Sequence, residues 1–571
     1  MTKKVSIVAH HGRGNTSGET FMMTTFRFHW NHLPISFAFQ VVNMKVIITY
    51  MPGLKVNFLI LLWSIFISGS QGGHYLSYGP DLKPAQGSVW PKPWWQDDTG
   101  RYFSVDPENF RLVAVNKNCP LLQDAMARYT KVIRQSAQGY VKAPQTAVIR
   151  KIQQLSVNLT QACETLPHLN MDETYYVWGD GRVIANSIWG IFRGLETLSQ
   201  LLVPMPNGLL RIPETEIYDE PRFKYRGLML DSARHFISKG KILQLLEGMA
   251  FNKLNVFHWH LSDDSAFTFN STTYPELSLK GAYRREMTYS PAEVKEIVEF
   301  ARKRGIRVIA EFDTPAHTAS WGASHPEIMT KCAGKYAGQL GPFNPTKDST
   351  FTFLNKFFSE IRNLFPDRYL HLGVDEVNPS CWEGNSEIQK YLTSKKLDNG
   401  DLPYLYLERF TADISTLGWK QMVWQEAMTE YPYMKWPTGT IGQVWFDFKN
   451  VSRDLTARKF DIIHSQDWYM YVLSTGGDWE KFYKVEPLDF EGSDVQKKHV
   501  LGGEACLWSE YINEYNVMPT TFPRVSAVAE RLWSEREHRS TEEATPRIEE
   551  HNCRMIYRGI EARPANSFGL C

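Results

Sequence analysis

Beyond residue 222 the chain alternates between short apolar runs and longer stretches of helical period. Eight apolar runs stand out, at 225–230, 254–260, 306–311, 369–374, 421–424, 440–444, 460–464 and 499–503. Near-continuous apolar runs of this length read as strands buried on both faces, the texture of a parallel sheet. Helical stretches such as 239–250 and 291–304 lie between them. Eight strand–helix units over about 310 residues predict an α/β fold, a (β/α)8 TIM barrel occupying 222–571.

The residues just past these runs are chemically rich: Asp231; Asp263 and Asp264; Asp313; Asp375 and Glu376; Glu426; Trp445; Asp467, Trp468 and Tyr469; Trp508 and Glu510. Acids at strand ends can cap the next helix. Capping explains one or two of them, not the whole series. In a barrel the C-terminal strand ends are where chemistry sits, so these residues are expected to share a pocket.

Upstream the pattern is mixed. Residues 110–115 alternate like a strand, 173–178 and 181–185 read as strands around a Gly-Asp-Gly turn, and 187–202 reads as a helix. Residues 119–136 read as another helix, with Leu122, Ala125, Tyr129 and Ile133 on its apolar face. A small α+β domain at 74–215 is expected, with the Pro-, Gly- and Trp-rich stretch 74–100 as an irregular lead-in. Its only cysteines, Cys119 and Cys163, point to a bond between them.

Residues 1–50 show no pattern of a compact fold and are expected to be disordered or untranslated. From Met51 come Lys55, an apolar core at 58–67, and the small residues Ser68, Gly69 and Ser70. That order describes a secretory signal peptide at 51–73, and its core is short for a bilayer span. Because it starts some fifty residues in, two readings stand. Either translation begins at Met44 or Met51 and the signal is cleaved, or 58–67 stays as a membrane anchor. Both lead into the secretory pathway, lysosomal or extracellular, where disulfides form. The sequons at Asn158, Asn270 and Asn450 then become glycosylation candidates.

Net charge is +1 with no basic block, which leaves nucleic acid without an electrostatic footprint. The 18 Trp suit flat sugar faces as well as a core. Asp375 and Glu376 close the run that rises through Leu370, Leu372 and the chain-reversing Gly373. Two acids this close, among aromatics, cannot both ionise freely. One is expected to stay protonated, as a general acid for a glycosidic oxygen must. A salt-bridged pair is the plain alternative.

Seven segments follow in order: Asp231-Ser-Ala-Arg234-His235, Val256-Phe-His-Trp-His260, Ser262-Asp263-Asp264, Glu311-Phe-Asp-Thr-Pro315-Ala-His317, His371-Leu-Gly-Val-Asp-Glu376, Val423-Trp-Gln-Glu426 and Gly502-Gly-Glu-Ala-Cys-Leu-Trp508-Ser-Glu510. With them the chain closely resembles glycoside hydrolase family 20, the β-N-acetylhexosaminidases, over roughly 101–571. It looks most like the animal lysosomal-type subunits and their insect relatives.

The resemblance implies a retaining exo-hydrolase acting on terminal β-linked GlcNAc, and possible GalNAc, of chitooligosaccharides or glycan chains. The substrate's own acetamido group serves as nucleophile. Glu376 resembles the general acid/base and Asp375 the residue that orients the acetamido group. Tyr469 resembles its hydrogen-bond donor, and Trp424, Trp445 and Trp508 its aromatic walls. Arg234 and Glu510 resemble the charged pair that holds the sugar hydroxyls; Asp263 and His317 resemble groups that tune the acid. Cys332–Cys381 and Cys553–Cys571 match family disulfides, leaving Cys506 as a buried thiol. No metal or cofactor is implied, and a homodimer is expected.

Two departures stand out. Val374 replaces a Gly of the family pattern, and since a β-branched residue resists φ > 0, an extended backbone is expected there. Tyr471 and Val472 stand where the lysosomal enzymes carry polar or charged groups, so 6-sulfated sugars are not expected to bind. The rival readings are an inactive cell-surface glycan-binding protein tethered by 58–67, and a family 18-like chitinase. The Asp-x-x-Asp-x-Asp-x-Glu signature of the latter is missing from the sequence.

Overall fold

Eight parallel strands close into a barrel: β1 (Tyr225–Asp231), β2 (Val256–His260), β3 (Arg307–Thr314), β4 (Tyr369–Gly373), β5 (Lys420–Trp424), β6 (Ile441–Val444), β7 (Asp461–His464) and β8 (Val500–Leu507). Each falls on one of the eight apolar runs. Closure is by β8 against β1, with Tyr225 opposite Gly502 and Leu230 opposite Leu507. The computed structural model describes residues 86–139, 142–471, 477–566, 569 and 571, and the backbone of four strands between residues 8 and 47.

The two-residue period of a strand stacks the barrel interior in layers. Tyr225, Val256, Ile309, Tyr369, Met422, Ile441 and Ile463 form one apolar cluster near the strand starts. Two residues further along come His258, Glu311, His371, Trp424 and Gln443, all buried, and Glu504 joins them from β8. A barrel interior is usually filled by branched aliphatics; this second layer is polar. Two residues further again lie His260, Asp313, Gly373 and Glu426, at the mouth.

The α+β domain is a mixed sheet that includes Arg111–Ala114, Gln154–Leu159, Arg182–Ala185, Tyr175–Trp178, Leu210–Asp219 and Trp95–Val105. Helices Pro120–Ser136 and Ile188–Leu201 accompany it. The expectation of an irregular lead-in through residue 100 is corrected: Trp95–Val105 is an eleven-residue strand paired with Leu210–Asp219. Its first half is exposed and polar, so it has no hydrophobic alternation to read, and backbone pairing alone sets it.

Helix Ile188–Leu201 is buried along its whole length and ties this domain to the barrel. Glu173 accepts from Arg193 at 2.9 Å and from Arg226 of β1 at 2.6 Å, with all three side chains buried. Burial alone would raise the Glu173 carboxyl; Arg226 and Arg193 hold it below the usual range. Breaking such a pair strands a buried charge, at about 3–5 kcal/mol.

Disulfides join Cys119–Cys163, Cys332–Cys381 and Cys553–Cys571, and Cys506 is a buried free thiol. The four N-terminal strands, Val8–Thr16, Glu19–Trp30, Leu33–Val42 and Lys45–Ile47, pair antiparallel in a separate unit, Met1–Pro80. The signal-like stretch 51–73 lies outside the described residues. Among the described residues no helix is long and apolar enough to cross a membrane.

Candidate active site

Strand β4 ends in an unusual turn. Gly373, Val374 and Glu376 have φ of 74°, 69° and 50°. Val374 is therefore left-handed, which corrects the extended backbone expected there. For a β-branched residue this costs about 1–2 kcal/mol. Local bonds hold the turn: the Gly373 N–H donates to His371 Nδ1 at 3.1 Å, and the Val374 N–H donates to Asp313 Oδ1 at 3.0 Å. Gly373 has no substitute, since a Cβ there would stand 1.6 Å from Asp313 Oδ1.

The turn aims the two acids differently. Asp375 points into the pocket, its side chain 14% exposed, while Glu376 is 63% exposed at the rim. Against Asp375 packs Asp313, a buried carboxyl with no role assigned from the sequence. Burial, then the charges of Asp375 and Glu311, push the Asp313 carboxyl well above the usual range. Asp313 is thus shifted toward the neutral form. Among the described residues no N–H or O–H reaches the buried Asp375 Oδ1; a proton on Asp313 would supply that donor.

On the other side of the dyad stands His317, itself left-handed at φ 53°. Its Nε2 is 3.6 Å from Glu376 and 3.8 Å from Asp375, and its Nδ1 is 3.9 Å from Asp263. Asp263 in turn pairs with His260 at 3.1 Å and with Arg234 at 2.8 Å. The Arg234 guanidinium also meets Asp231 at 3.1 Å and stacks over the Trp508 ring at 4.9 Å. Glu510 is exposed and adds a longer-range attraction for Arg234. The direct partners of Arg234 are Asp231 and Asp263.

The walls are aromatic. Trp424 and Trp508 lie 5.7 Å apart by ring centroid, and Trp445 stacks on Tyr469 at 6.1 Å. All four pack around Met229 and Cys506. Burial pushes the Tyr469 hydroxyl well above its usual range, so it stays a donor. A second unassigned acid is Glu426: both its oxygens accept from Trp445 Nε1, at 3.0 and 2.8 Å. Burial, with Asp375 nearby, pushes its carboxyl up to about 7. The sequence showed Asp313 and Glu426 only as acids near strand ends; the two-residue step from Glu311 was the available sign that Asp313 faces inward. Tyr471 packs edge-on to Tyr469 at 6.0 Å, and Val472 lies outside the described residues.

A cavity of about 230 Å³ opens beside Glu376, lined by His317, Asp264, Gln339, Asn378 and the Cys332–Cys381 bond. Three clusters at the site have side chains close enough to share an ion: His258, Glu311 and His371; Asp263, Asp264 and His317; Asp313, His317 and Asp375. Their contacts with one another are those of ion pairs and shared protons.

Residues 223–536 match the model of glycosyl hydrolase family 20, catalytic domain, and residues 89–201 match the beta-acetyl hexosaminidase like model. The chain belongs to glycoside hydrolase family 20. It is 41% identical over 498 residues to beta-hexosaminidase subunit beta of Felis catus, covering 84% of this chain and 93% of the relative. The Homo sapiens subunit beta is 41% identical over 501 residues, covering 85% and 89%. Among solved structures, a Flavobacterium johnsoniae chitobiase superposes with a TM-score of 0.73 at 26% identity, covering 83% of this chain and 73% of that one.

Proposed function

We propose that this family 20 enzyme is a retaining exo-β-N-acetylhexosaminidase that releases terminal β-linked GlcNAc from oligosaccharides or glycoconjugates. One observation carries the reading: a single turn presents Asp375 into an aromatic pocket and Glu376 at its rim. Trp424, Trp445 and Trp508 enclose the sugar and its acetamido methyl. Tyr469 donates to the acetamido oxygen and Asp375 accepts from its N–H. That oxygen attacks the anomeric carbon as the bond to the leaving group breaks, and Glu376 delivers the proton to the departing oxygen. Glu376 then takes a proton from water as the cyclic intermediate opens, so configuration is retained without a glycosyl-enzyme ester.

Arg234 holds the sugar hydroxyls with Glu510 at the rim, while Asp263 and His317 orient the acid. The leaving group takes the cavity on the Glu376 side. Tyr471 offers no charge for a 6-sulfate. Glycans sit at Asn270 and Asn450, which are exposed, more readily than at half-buried Asn158. The chain is proposed to work as a homodimer in a lysosomal or extracellular compartment, because its relatives are hexosaminidase subunits; sedimentation of the purified protein checks the first.

The test is hydrolysis of a β-GlcNAc aryl glycoside at acidic to neutral pH. Glu376→Gln should lower the rate by roughly 10²–10⁴, and Asp375→Asn should slow every substrate that relies on its acetamido group. A folded wild type that binds the sugar without turning it over would make the chain a glycan-binding protein. Internal cleavage of a longer chitooligosaccharide would make it a chitinase.

A further inference from the structure

The polar layer beneath the pocket is a connected structure. Glu311, fully buried on β3, accepts from Trp424 Nε1 on one oxygen at 2.9 Å and from His260 Nδ1 on the other at 2.8 Å. His258 Nε2 meets that second oxygen at 3.0 Å. Below, His258 Nδ1 pairs with Glu504 at 2.8 Å, and Tyr225 donates to Glu504 at 2.6 Å. Above, His260 reaches Asp263, which holds Arg234. From the floor upward the groups alternate in sign: Glu504, His258, Glu311, His260, Asp263, Arg234.

We propose that Glu311 is a positioning residue for the sugar pocket: its two carboxylate oxygens fix the Trp424 wall and, through His260, the Asp263–Arg234 pair. The inference rests on the hydrolase reading above. A buried ion costs several kcal/mol in lost hydration, and a well-packed apolar layer is often as stable or more so. Stability alone does not call for ions here. The layer does supply reach: one carboxyl touches Trp424 on β5 and, on β2, the His260 that leads to Asp263 and Arg234.

The charges agree with the geometry. Burial alone would lower both imidazoles. Glu504 and Glu311 push His258 up to about 9, and Glu311 with Asp263 pushes His260 up to about 10. Burial would raise Asp263; His260 and then Arg234 hold it below the usual carboxylate range, and His317 adds to them. Also facing this set are His371, beside Glu311 at 3.2 Å, Asp231, beside Arg234, and Asp313, two residues along β3.

Glu311→Gln tests the assignment. An amide has one accepting oxygen and one donating NH2, whereas both Glu311 oxygens accept N–H donors. One amide orientation sets a donor against Trp424 Nε1; the other sets it against protonated His260, which must then give up its Nδ1 proton. The expected result, with 4-nitrophenyl N-acetyl-β-glucosaminide, is a fall of roughly 10- to 100-fold in kcat/KM, the loss one unmet buried hydrogen bond carries. A raised KM should form part of it.

The acidic limb of the pH profile of kcat/KM should also move up by about one pH unit, because without Glu311 the His260 imidazole gives up its charge more readily and Asp263 loses the support of that charge. His260→Gln should move the limb the same way without loosening Trp424. If Glu311→Gln does not fold, His260→Gln decides alone. A limb that stays put in the folded variants overturns the proposal, whatever the loss of rate. Lack of turnover by the wild type in the same assay would instead sink the hydrolase reading.

Discussion

Asp313 offers the sharpest test of how the dyad is built. Its carboxyl is buried, accepts the Val374 N–H at 3.0 Å and faces Asp375. Burial and the neighbouring acids shift it toward the protonated form, of which an amide is a close mimic. In Asp313→Asn the amide oxygen keeps the Val374 bond and the NH2 donates to Asp375, as the shared proton does. That variant should stay within roughly fivefold of wild type in kcat/KM, about 1 kcal/mol. Asp313→Ala removes both partners. Each buried group left unmet costs about 1–3 kcal/mol, and one such loss taken from the transition state is roughly 5- to 150-fold in rate. Steady-state kinetics on an aryl β-GlcNAc glycoside, with circular dichroism to confirm folding, reads both. If Asn falls as far as Ala, the site needs a charge on Asp313, and the neutral-carboxyl argument is wrong.

Other predictions follow from the same geometry. Gly373→Ala drives a methyl into Asp313 from a left-handed position and should cost more than ~10-fold in activity, a size expected of overpacking beside a strained turn; a wild-type rate would show that the turn can move. Val374→Gly should stay active, since relief of about 1–2 kcal/mol of left-handed strain roughly offsets the loss of a buried side chain worth about 1.5–3 kcal/mol. A loss beyond tenfold would mean that the valine itself shapes the site. Thermal stability should peak in mild acid. Glu426, His258 and His260 are raised to about 7, 9 and 10, so their stabilisation is full below their ordinary values and fades as pH rises through the raised ones. Asp263, Glu311 and Glu173 are lowered, so theirs fades as pH falls. A melting temperature highest near pH 4.5–6.5, between the ordinary Glu and His values, is expected. One still climbing at pH 8 would contradict it.

The barrel was legible because its strands are buried on both faces, and eight apolar runs betray them without homologous sequences. Strand Trp95–Val105 was not legible, because its exposed half carries Gln96, Asp97 and Asp98, residues that say nothing of a sheet. The three Trp and Tyr469 pack around Met229 and Cys506, and the dyad lies just past the end of β4. Asp313 and Glu426 were visible as acids but not as partners. Their roles depend on which strand lies beside which, and β3 pairs with β4 through Thr314 and Gly373. The left-handed Val374 contradicts its own side-chain preference. The N–H it aims at Asp313 favours the turn, and that bond is tertiary.

The arrangement also answers how four carboxyls can share so small a site. Asp313 and Glu426 are enclosed and shifted toward the neutral form, and each has a fixed partner, Asp375 for one and Trp445 for the other. Neighbours shifted toward the neutral form add less repulsion beside Asp375, which in the proposed mechanism faces the developing cation on the acetamido group. Glu376 has the opposite need. In the proposed mechanism it gives up a proton and recovers one in every turnover, so it has to exchange with water, and its 63% exposure provides that route. The left-handed residues between β4 and Glu376 separate the two tasks. On a regular strand, consecutive residues would face opposite sides of the sheet, and one of the two acids would be lost to the helix layer. The strain at Val374 is the cost of keeping both at one sugar.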